Sequence, residues 1–242
     1  MSKIGIIGIT GKMGNILAEM VRESQSYSLG RGYSSCSGDL IEVFSSNDYV
    51  IDFSSHKLIS SVLSAALQNP KPLIICTTGW DRNEYAKDIE KLAEIIPLII
   101  ASNTSIGAYL QRYLVRELAK LLGDDYDVDI IEKHHRNKVD SPSGTALSLS
   151  EDIKSVKQKE YRTSLEKSGK REDNLISINS IRSGNIYGEH EVMFTSSEEM
   201  ISVKHVAFNR HIFAKGAIRA LDWLVKKNPS PGIYSMQDVL GI

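Results

Sequence analysis

The first 23 residues constrain the fold more than any other part of the 242-residue chain. The apolar run KIGIIGI (residues 3–9) has the length and β-branched content of a buried strand, and Gly8, Gly11 and Gly14 follow in GITGKMG. Apolar side chains at helical spacing come next: Met13, Ile16, Leu17, Met20 and Val21. This order of strand, glycine turn and amphipathic helix predicts the start of a βαβ unit.

Three further apolar runs predict that the same sheet continues. They are YVIDF (49–53), PLIIC (72–76) and PLIIA (97–101), and helical patterns separate them. Such alternation is typical of a parallel sheet that is buried on both faces. We therefore expect the first part of the chain to have an α/β fold.

The pattern changes from about Tyr126. The strand-like runs after this point follow one another without full crossover helices, which predicts a second, smaller α+β domain with a mixed or antiparallel sheet. Between these runs, the charged and weakly periodic residues 154–173 are expected to form a mobile connection. A last helix is predicted over residues 214–227, where the segment NPSPG ends it.

Composition favours a small-molecule partner. The 29 Lys and Arg residues nearly balance the 30 Asp and Glu residues, so no strong field attracts nucleic acid or an anionic membrane surface. No apolar run approaches the roughly 18 residues of a membrane span. Cys36 and Cys76 are too few for a disulfide scaffold and lack zinc-site spacing, which predicts a cytoplasmic protein without a metal.

The glycine turn predicts a dinucleotide site. Glycines permit a tight turn and the close approach of a pyrophosphate, and the helix that follows offers N–H groups and partial positive charge to the phosphates. NAD-binding turns usually have an acidic residue about 20 positions further on, which holds the ribose hydroxyls. Here the second strand ends in Ser34 and Ser35, while Lys12 or Arg31 could meet a 2′-phosphate. The choice between NADH and NADPH therefore stays open.

The segment KHHRNKVDSPSGTAL (133–147) collects proton carriers, cations and backbone donors in one connection. DVDIIEKHH alternates as a strand and helical spacing begins at Ala146, so residues 136–144 are predicted to be a strand-to-helix loop with Ser143 as the N-cap. The N–H groups of Gly144 and Thr145 can then receive a carboxylate. Lys138 can bring a full positive charge to the same anion.

Two adjacent histidines precede this loop. His134 and His135 are successive strand residues, so they should face opposite sides and not share a metal. A histidine with an ordinary pKa of about 6.5 can hold or give a proton near neutral pH. Together with Lys138, Asp140 and the helix start, they predict a proton-transfer site. The other histidines are expected to be caps, surface or strand residues and not zinc ligands: His56, His190, His205 and His211.

The motif EKHHRNKVDSPSGTAL resembles the signature of the dihydrodipicolinate reductase family. The likeness extends nearly end to end through GITGKMG, VIDFS, TTGW, RSGNIYGEHEVMF, FAKGAIRALDWL and GIYSMQDVLG, in the family order. It implies a Rossmann-like cofactor domain over residues 1–104, completed by 211–242. It also implies a substrate-binding and tetramerisation domain over 105–210, and hydride transfer from NADH or NADPH to a cyclic dicarboxylate.

The resemblance also implies roles for individual residues. His134 would be the proton donor or acceptor, and Lys138 a second proton donor. The substrate contacts would be His135, Ser143, Gly144 and Thr145. The cofactor contacts would be Gly8, Ile9, Thr10, Gly11, Lys12, Met13, Cys76, Thr77, Thr78, Ala101, Ser102, Asn103 and Thr104.

Several positions depart from the family pattern, and two other functions stay open. Cys76 stands where a glycine usually precedes TTG, Thr104 replaces a common phenylalanine, and Asn185 replaces an aspartate. The first alternative is another two-domain nicotinamide dehydrogenase of amino-acid metabolism. The second is a nucleotide-sensing regulator without catalytic activity, and the intact His134 and Lys138 argue against it.

Overall fold

The computed structural model describes residues 1–165 and 169–242, and the chain divides into two compact units. The first unit comprises Met1–Ile106 and His211–Ile242, and the second comprises Gly107–Arg210. The family resemblance predicts divisions after residues 104 and 210, and the two units divide after residues 106 and 210. In the described part of the chain, no helix is long and apolar enough to span a bilayer.

The first unit is built on a parallel sheet. The described strands are β1 (Ser2–Ile7), β2 (Tyr27–Tyr33), β3 (Tyr49–Asp52), β4 (Leu73–Ile75), β5 (Pro97–Ile100) and β11 (Gly232–Tyr234), in the order β11-β5-β4-β3-β1-β2. The helices are α1 (Lys12–Glu23), α2 (Leu40–Ser46), α3 (Ile59–Gln68), α4 (Ala86–Ile95), α7 (His211–Lys227) and α8 (Met236–Leu240). All neighbouring strands pair in parallel, which confirms the predicted α/β sheet.

The four central strands of this sheet, β1, β3, β4 and β5, are largely buried on both faces, as continuous apolar runs require. Ile4, Ile6 and Ile7 of β1 are fully buried. One side of the sheet packs on α2, α3 and α4 through residues such as Phe44 and Leu63. A core of this size fixes the carboxyl ends of the strands, from which the connecting turns emerge.

The second unit contains a mixed sheet. Its described elements are α5 (Ile106–Leu122), β6 (Asp127–His134), α6 (Gly144–Lys154), β7 (Arg162–Ser164), β8 (Leu175–Arg182), β9 (Gly188–Thr195) and β10 (Met200–Ala207). The strand order is β10-β9-β6-β8-β7. β6 and β7 pair with β8 in parallel, while β9 pairs antiparallel with β6 and β10. This arrangement confirms the predicted second sheet.

The core of the second unit lies on one face of its sheet. Alternate residues of β6, β8 and β9 point to this face and pack against apolar residues of α5 and α6. They include Val128, Ile130, Ile178, Val192 and Phe194. The same face carries two further buried side chains of β6, Glu132 and His134, beyond the apolar part of the core.

Some local predictions need correction. Residues 154–173 are not wholly a connection, because Arg162–Ser164 forms the edge strand β7 beside β8. Three further residues of that range, 166–168, lie outside the described part of the chain. The last helix begins at His211, before the predicted residue 214, and a short strand and helix follow it.

Candidate active site

The glycine turn of the first unit is held in place by backbone hydrogen bonds. Gly8 has a φ of +83° in the left-handed region, and the N–H groups of Gly8 and Ile9 both donate to the carbonyl oxygen of Tyr33, at 2.8 and 3.1 Å. A Cβ at Gly14 would lie 2.0 Å from the Gly8 carbonyl oxygen, so no larger residue fits there. The turn therefore brings the start of α1 directly against β1.

The start of α1 is suited to an anion. Gly11 occupies the N-cap position, and within the described chain no side chain caps this helix. Lys12, the first helical residue, is exposed, and the first N–H groups of a helix lack partners within the helix. The predicted turn residues Gly8, Ile9, Thr10, Gly11 and Lys12 thus form one continuous turn, as expected of a phosphate-binding loop.

A cleft of about 280 Å³ lies within the same unit. It is lined by the predicted residues Met13, Cys76, Thr77, Thr78, Ala101, Ser102, Asn103 and Thr104. Phe53, Ser54 and Phe213 also line it, and the sequence did not single them out. The first-unit residues predicted to contact the cofactor therefore fall into two groups, the glycine turn and this cleft.

Thr104 and Cys76, the two cleft residues that depart from the family pattern, have well-defined surroundings. The Thr104 hydroxyl donates to the Phe213 carbonyl oxygen at 2.6 Å, which ties the end of the β5 loop to α7. Burial, followed by the nearby Asp52 carboxylate, raises the pKa of the Cys76 thiol well above its usual range. This thiol is therefore neutral at physiological pH and adds apolar volume to the cleft wall.

The turn after β2 lacks a carboxylate for a ribose. The Ser34 and Ser37 hydroxyls lie 3.0 Å apart, and Asp39 caps α2 by accepting a hydrogen bond from Ile41 N at 2.9 Å. Arg31 forms an exposed ion pair with Glu42, at 3.1 Å. These contacts leave the preference between NADH and NADPH open.

In the second unit, His134 ends β6 beside a buried carboxylate. Glu132 lies two residues earlier on the same face of the strand, is fully buried, and forms a short hydrogen bond with His134 Nδ1. The Arg182 guanidinium donates to both Glu132 oxygens, at 3.0 and 2.7 Å. Burial alone would raise the pKa of Glu132, but hydrogen bonds from Arg182, Ser180 and His134 outweigh it and lower this pKa to about 2.

Burial and the hydrogen bond between the two residues shift the pKa of His134 in the opposite directions to that of Glu132. Burial lowers the pKa of its imidazole, and the hydrogen bond and negative charge of Glu132 partly offset this effect. In the unliganded protein the ring is therefore mainly neutral near pH 7. An anion that binds beside it would raise this pKa and favour the imidazolium form, because opposite charges stabilise each other.

The loop after β6 has the predicted form. Ser143 caps α6 by accepting a hydrogen bond from Ala146 N at 3.2 Å, which confirms the predicted N-cap. Gly144 has open space around it, because an added Cβ would meet no atom within 4 Å. The N–H groups of Gly144 and Thr145 belong to the first helical turn, where an anion can bind.

Lys138 lies in this loop with its side chain mostly buried. Its ammonium group donates to both Asp140 oxygens at 2.8 Å, and its backbone N–H donates to the His135 carbonyl oxygen at 3.1 Å. Lys138 holds the pKa of Asp140 below its usual range. A dianionic ligand would therefore compete with Asp140 for the ammonium group.

His190 also belongs to this cluster, although the sequence predicts only an ordinary strand residue at this position. Its ring packs edge-on against His134, with centroids 5.1 Å apart, and its Nε2 lies 2.9 Å from Ser143 Oγ. Burial, with smaller contributions from neighbouring charges, lowers its pKa to about 4, so it is neutral at physiological pH. Its backbone carbonyl accepts a hydrogen bond from the Gln111 side chain at 2.7 Å.

Ligand atoms of Glu132, His134 and His190 lie within 4.8 Å of one another, a spacing that a metal ion could bridge. The guanidinium of Arg182, however, already neutralises the carboxylate. We therefore interpret the cluster as a proton-carrying site.

Together these features define a class of protein. A parallel sheet with a glycine turn, and a second unit with a buried histidine beside a cationic loop, are the parts of a pyridine-nucleotide oxidoreductase. Sequence models of the N-terminus and C-terminus of dihydrodipicolinate reductase match residues 2–104 and 107–240. The chain belongs to the dihydrodipicolinate reductase family.

Individual relatives agree with this assignment. A protein of Chlamydia caviae named 4-hydroxy-tetrahydrodipicolinate reductase is 41% identical over 236 residues, covering 96% of each chain. A protein of Rickettsia rickettsii with the same name is 40% identical over 245 residues and covers 100% of both chains.

Solved structures support the fold. The dipicolinate-bound dihydrodipicolinate reductase from Paenisporosarcina sp. TG-14 superposes with a TM-score of 0.79 at 21% identity, covering 97% of each chain. A probable dehydrogenase from Thermotoga maritima gives a TM-score of 0.62 at 12% identity, covering 98% of this chain and 92% of its own.

Proposed function

We propose that this protein reduces 4-hydroxy-tetrahydrodipicolinate to tetrahydrodipicolinate with NADH or NADPH, in the diaminopimelate and lysine pathway. The observation that carries the proposal is the cluster at the end of β6, where His134, Lys138 and the start of α6 combine a proton carrier with two anion-binding groups. The name shared by relatives that are 40–41% identical supports it.

The first unit is the proposed coenzyme-binding part. The turn from Gly8 to Met13 would hold the pyrophosphate, and the close approach of Gly14 to Gly8 leaves no room for a side chain between turn and helix. The cleft between Cys76 and Thr104 would receive the nicotinamide. When bound, the reduced nicotinamide supplies the hydride.

The second unit is the proposed dicarboxylate-binding part. Lys138 and the N–H groups of Gly144 and Thr145 would hold one carboxylate, with His135 as a further contact. Loss of water from the 4-hydroxy compound gives a conjugated C=C–C=N system. Addition of a hydride to it builds negative charge, and the proton from His134 Nε2 neutralises that charge on carbon or nitrogen.

The dianionic substrate would itself prepare the proton donor. His134 has a lowered pKa in the unliganded protein, and nearby carboxylates of the substrate raise it. The imidazolium form would thus be favoured only when substrate is bound. Asp140 would release Lys138 to the substrate in the same step.

We further propose a homotetramer that uses the second face of the mixed sheet. Apart from the buried Ser177, the side chains that alternate away from the described core are half-buried or exposed on this face, and they include several apolar ones: Ile131, Ile181, Met193, Met200 and Val206. Ile181 is 43% exposed and Met200 57% exposed, and surfaces of this type commonly mediate association. Light scattering should give a tetramer for the protein and smaller species for Ile181→Glu.

A cytoplasmic location is part of the same proposal. The two cysteines are both free, as expected in a reducing compartment. Fractionation of cells that express the protein tests it.

The proposed activity is tested by incubation with the fresh product of the preceding aldol-type synthase and a reduced coenzyme. We expect oxidation of the coenzyme that requires both substrate and protein, measured with NADH and NADPH side by side. A regulator would bind coenzyme without turnover. Another dehydrogenase would ignore this substrate, and either result would refute the proposal.

A further inference from the structure

Two charged side chains, the buried Glu132 and the mostly buried Arg182, lie behind His134 and connect β6, β8 and the loop before α6. Glu132 is on β6, while Arg182 ends β8 and is the register partner of His134. The Arg182 side chain is 19% exposed and the Glu132 side chain 0%. Such an ion pair is costly to bury, so its retention next to a proton carrier calls for an explanation.

Apart from a hydrogen bond with Ser180 of β8, the polar contacts of the Glu132 carboxylate are directed at the site. One oxygen accepts from Arg182 Nη2 at 2.7 Å and from the Ser143 backbone N–H at 3.3 Å. The other accepts from Arg182 Nη1 at 3.0 Å and shares a short hydrogen bond with His134 Nδ1. The carboxylate therefore touches the strand, the neighbouring strand and the N-cap of α6.

Arg182 extends the same connection into the loop. Its Nη2 also donates to the Asp140 carbonyl oxygen at 2.7 Å. Asp140 in turn holds the Lys138 ammonium group. A single guanidinium thus links the partner of His134 to the partner of Lys138.

We propose that Glu132 and Arg182 are positioning residues for the proton transfer: Glu132 accepts the Nδ1 proton of His134, so that Nε2 is the atom that exchanges the reacting proton, and Arg182 fixes Glu132 and the loop. This inference rests on the proposed function, because it assigns how His134 performs its role. A carboxylate behind a histidine sets both the tautomer and the orientation of the ring.

The environment of His134 predicts how its titration responds. Its charged or titratable neighbours in the described chain are Glu132 on its own strand, Arg182 on β8, His190 on β9 and Lys138 in the loop. Of these only Glu132 is negative, and its charge raises the His134 pKa. Removal of that charge must therefore lower the pKa further, which favours the neutral ring.

The variant Glu132→Gln tests the proposal through the pH dependence of kcat. A general acid is active in its protonated form, so kcat falls as the pH rises through its pKa. In Glu132→Gln we expect this fall to occur at lower pH than in the unsubstituted protein. At neutral pH we expect a kcat about 100-fold lower, because loss of positioning has effects of that size. Coenzyme affinity should stay unchanged.

Asp152→Asn is the matched control. Asp152 forms another two-point ion pair in the second unit, with Arg112 at 2.5 and 2.8 Å, and it joins α6 to α5. The Asp152→Asn substitution should not shift the pH dependence of kcat. If Glu132→Gln lowers kcat equally at every pH, or moves the fall to higher pH, the residue is only structural and the proposal is wrong.

A second measurement uses the unsubstituted protein and does not depend on the folding of a variant. ¹⁵N NMR of labelled histidine, with the His134 signal assigned by its absence in His134→Ala, reports which ring nitrogen carries the proton. We expect neutral His134 to be protonated at Nδ1 and not at Nε2. The opposite tautomer would overturn the proposal.

The proposed function and the positioning role of Glu132 and Arg182 can be refuted separately. If the unsubstituted protein does not oxidise coenzyme with the substrate, or if His134→Ala is fully active, the proposed function is wrong. If His134→Ala is inactive while Glu132→Gln has an unshifted profile, only the positioning role is wrong.

Discussion

The two candidate sites of this protein are built in different ways. The glycine turn of the first unit consists of backbone groups, with Gly8 N–H and Ile9 N–H bonded to the Tyr33 carbonyl. The cluster in the second unit consists of ionisable side chains, centred on Glu132 and His134. The first can bind a ligand without changing its own charge, whereas the second must change its protonation state to work.

This difference predicts a division of labour that substitutions can separate. Changes in the turn should alter coenzyme affinity and leave the proton chemistry intact. Changes in the cluster should alter proton transfer and leave coenzyme affinity intact.

The largest effect is expected for His134→Ala. Loss of a positioned proton donor should lower kcat by roughly 100- to 10,000-fold, with a modest change in KM. Steady-state kinetics measures kcat, and a fluorescence titration measures the affinity for coenzyme. A loss of coenzyme affinity as large as the loss of kcat would contradict the proposed division of labour.

Acid should destabilise the second unit before the first. The folded pKa of His190 is about 4, below its ordinary 6.5, so its contribution to stability is complete above pH 6.5 and is lost as the pH falls towards 4. A shift of this size corresponds to about 3 kcal/mol. Glu132, with a folded pKa of about 2, adds a further loss below about pH 4.5.

In the first unit, acid has the opposite effect on the buried carboxyl group of Asp52. Burial raises the pKa of Asp52, so acid lessens the cost of burying it. Both tryptophans, Trp80 and Trp223, belong to the first unit, so urea unfolding followed by their fluorescence reports on that unit. Hydrogen exchange of β6 and β9 amides, corrected for intrinsic rates, reports on the second. Equal acid sensitivity of both would contradict the prediction.

A change in the turn should mainly affect coenzyme binding. In Gly14→Ala the new Cβ meets the Gly8 carbonyl oxygen at 2.0 Å, so the turn must move. Overpacking of this kind costs about 1–3 kcal/mol, which corresponds to a coenzyme Kd raised about 5- to 150-fold. Glu19→Ala, at an exposed position of the same helix, is the control and should bind normally. Normal affinity in Gly14→Ala would refute the predicted role of the turn.

The smallest effect is expected at Gly188, where a Cβ would lie 3.2 Å from His134 Nε2. Gly188→Ala should displace the ring from its preferred rotamer at a cost of about 0.5–1.5 kcal/mol, which lowers kcat about 2- to 12-fold. Thr195→Ala at the other end of the same strand should leave kcat unchanged. A Gly188→Ala protein with full kcat would show that Nε2 does not need its present position.

The sequence predicted the backbone site better than the side-chain site. The glycine turn is encoded in a few consecutive residues, and so is the Ser143 cap of α6. Arg182 and His190 join the cluster only through strand pairing, over separations of 50 and 47 residues from Glu132 and Ser143. A single sequence does not specify such registers, so these partners could not be identified in advance.

One missed residue did leave a local signal. Glu132 precedes His134 by two positions, and in a strand that spacing places both side chains on one face. The edge strand β7 has a weaker local signal in the sequence, because its three residues lie in a charged segment and depend on β8 for their hydrogen bonds. Nothing in the structure explains Asn185.

The most direct test of the account is the crystal structure of the protein with a reduced coenzyme and a dipicolinate-type dicarboxylate. We predict that His134 Nε2 lies about 2.6–3.2 Å from the ligand. The same ligand should lie against the start of α6. A dicarboxylate bound elsewhere, with His134 remote from both ligands, would contradict the account.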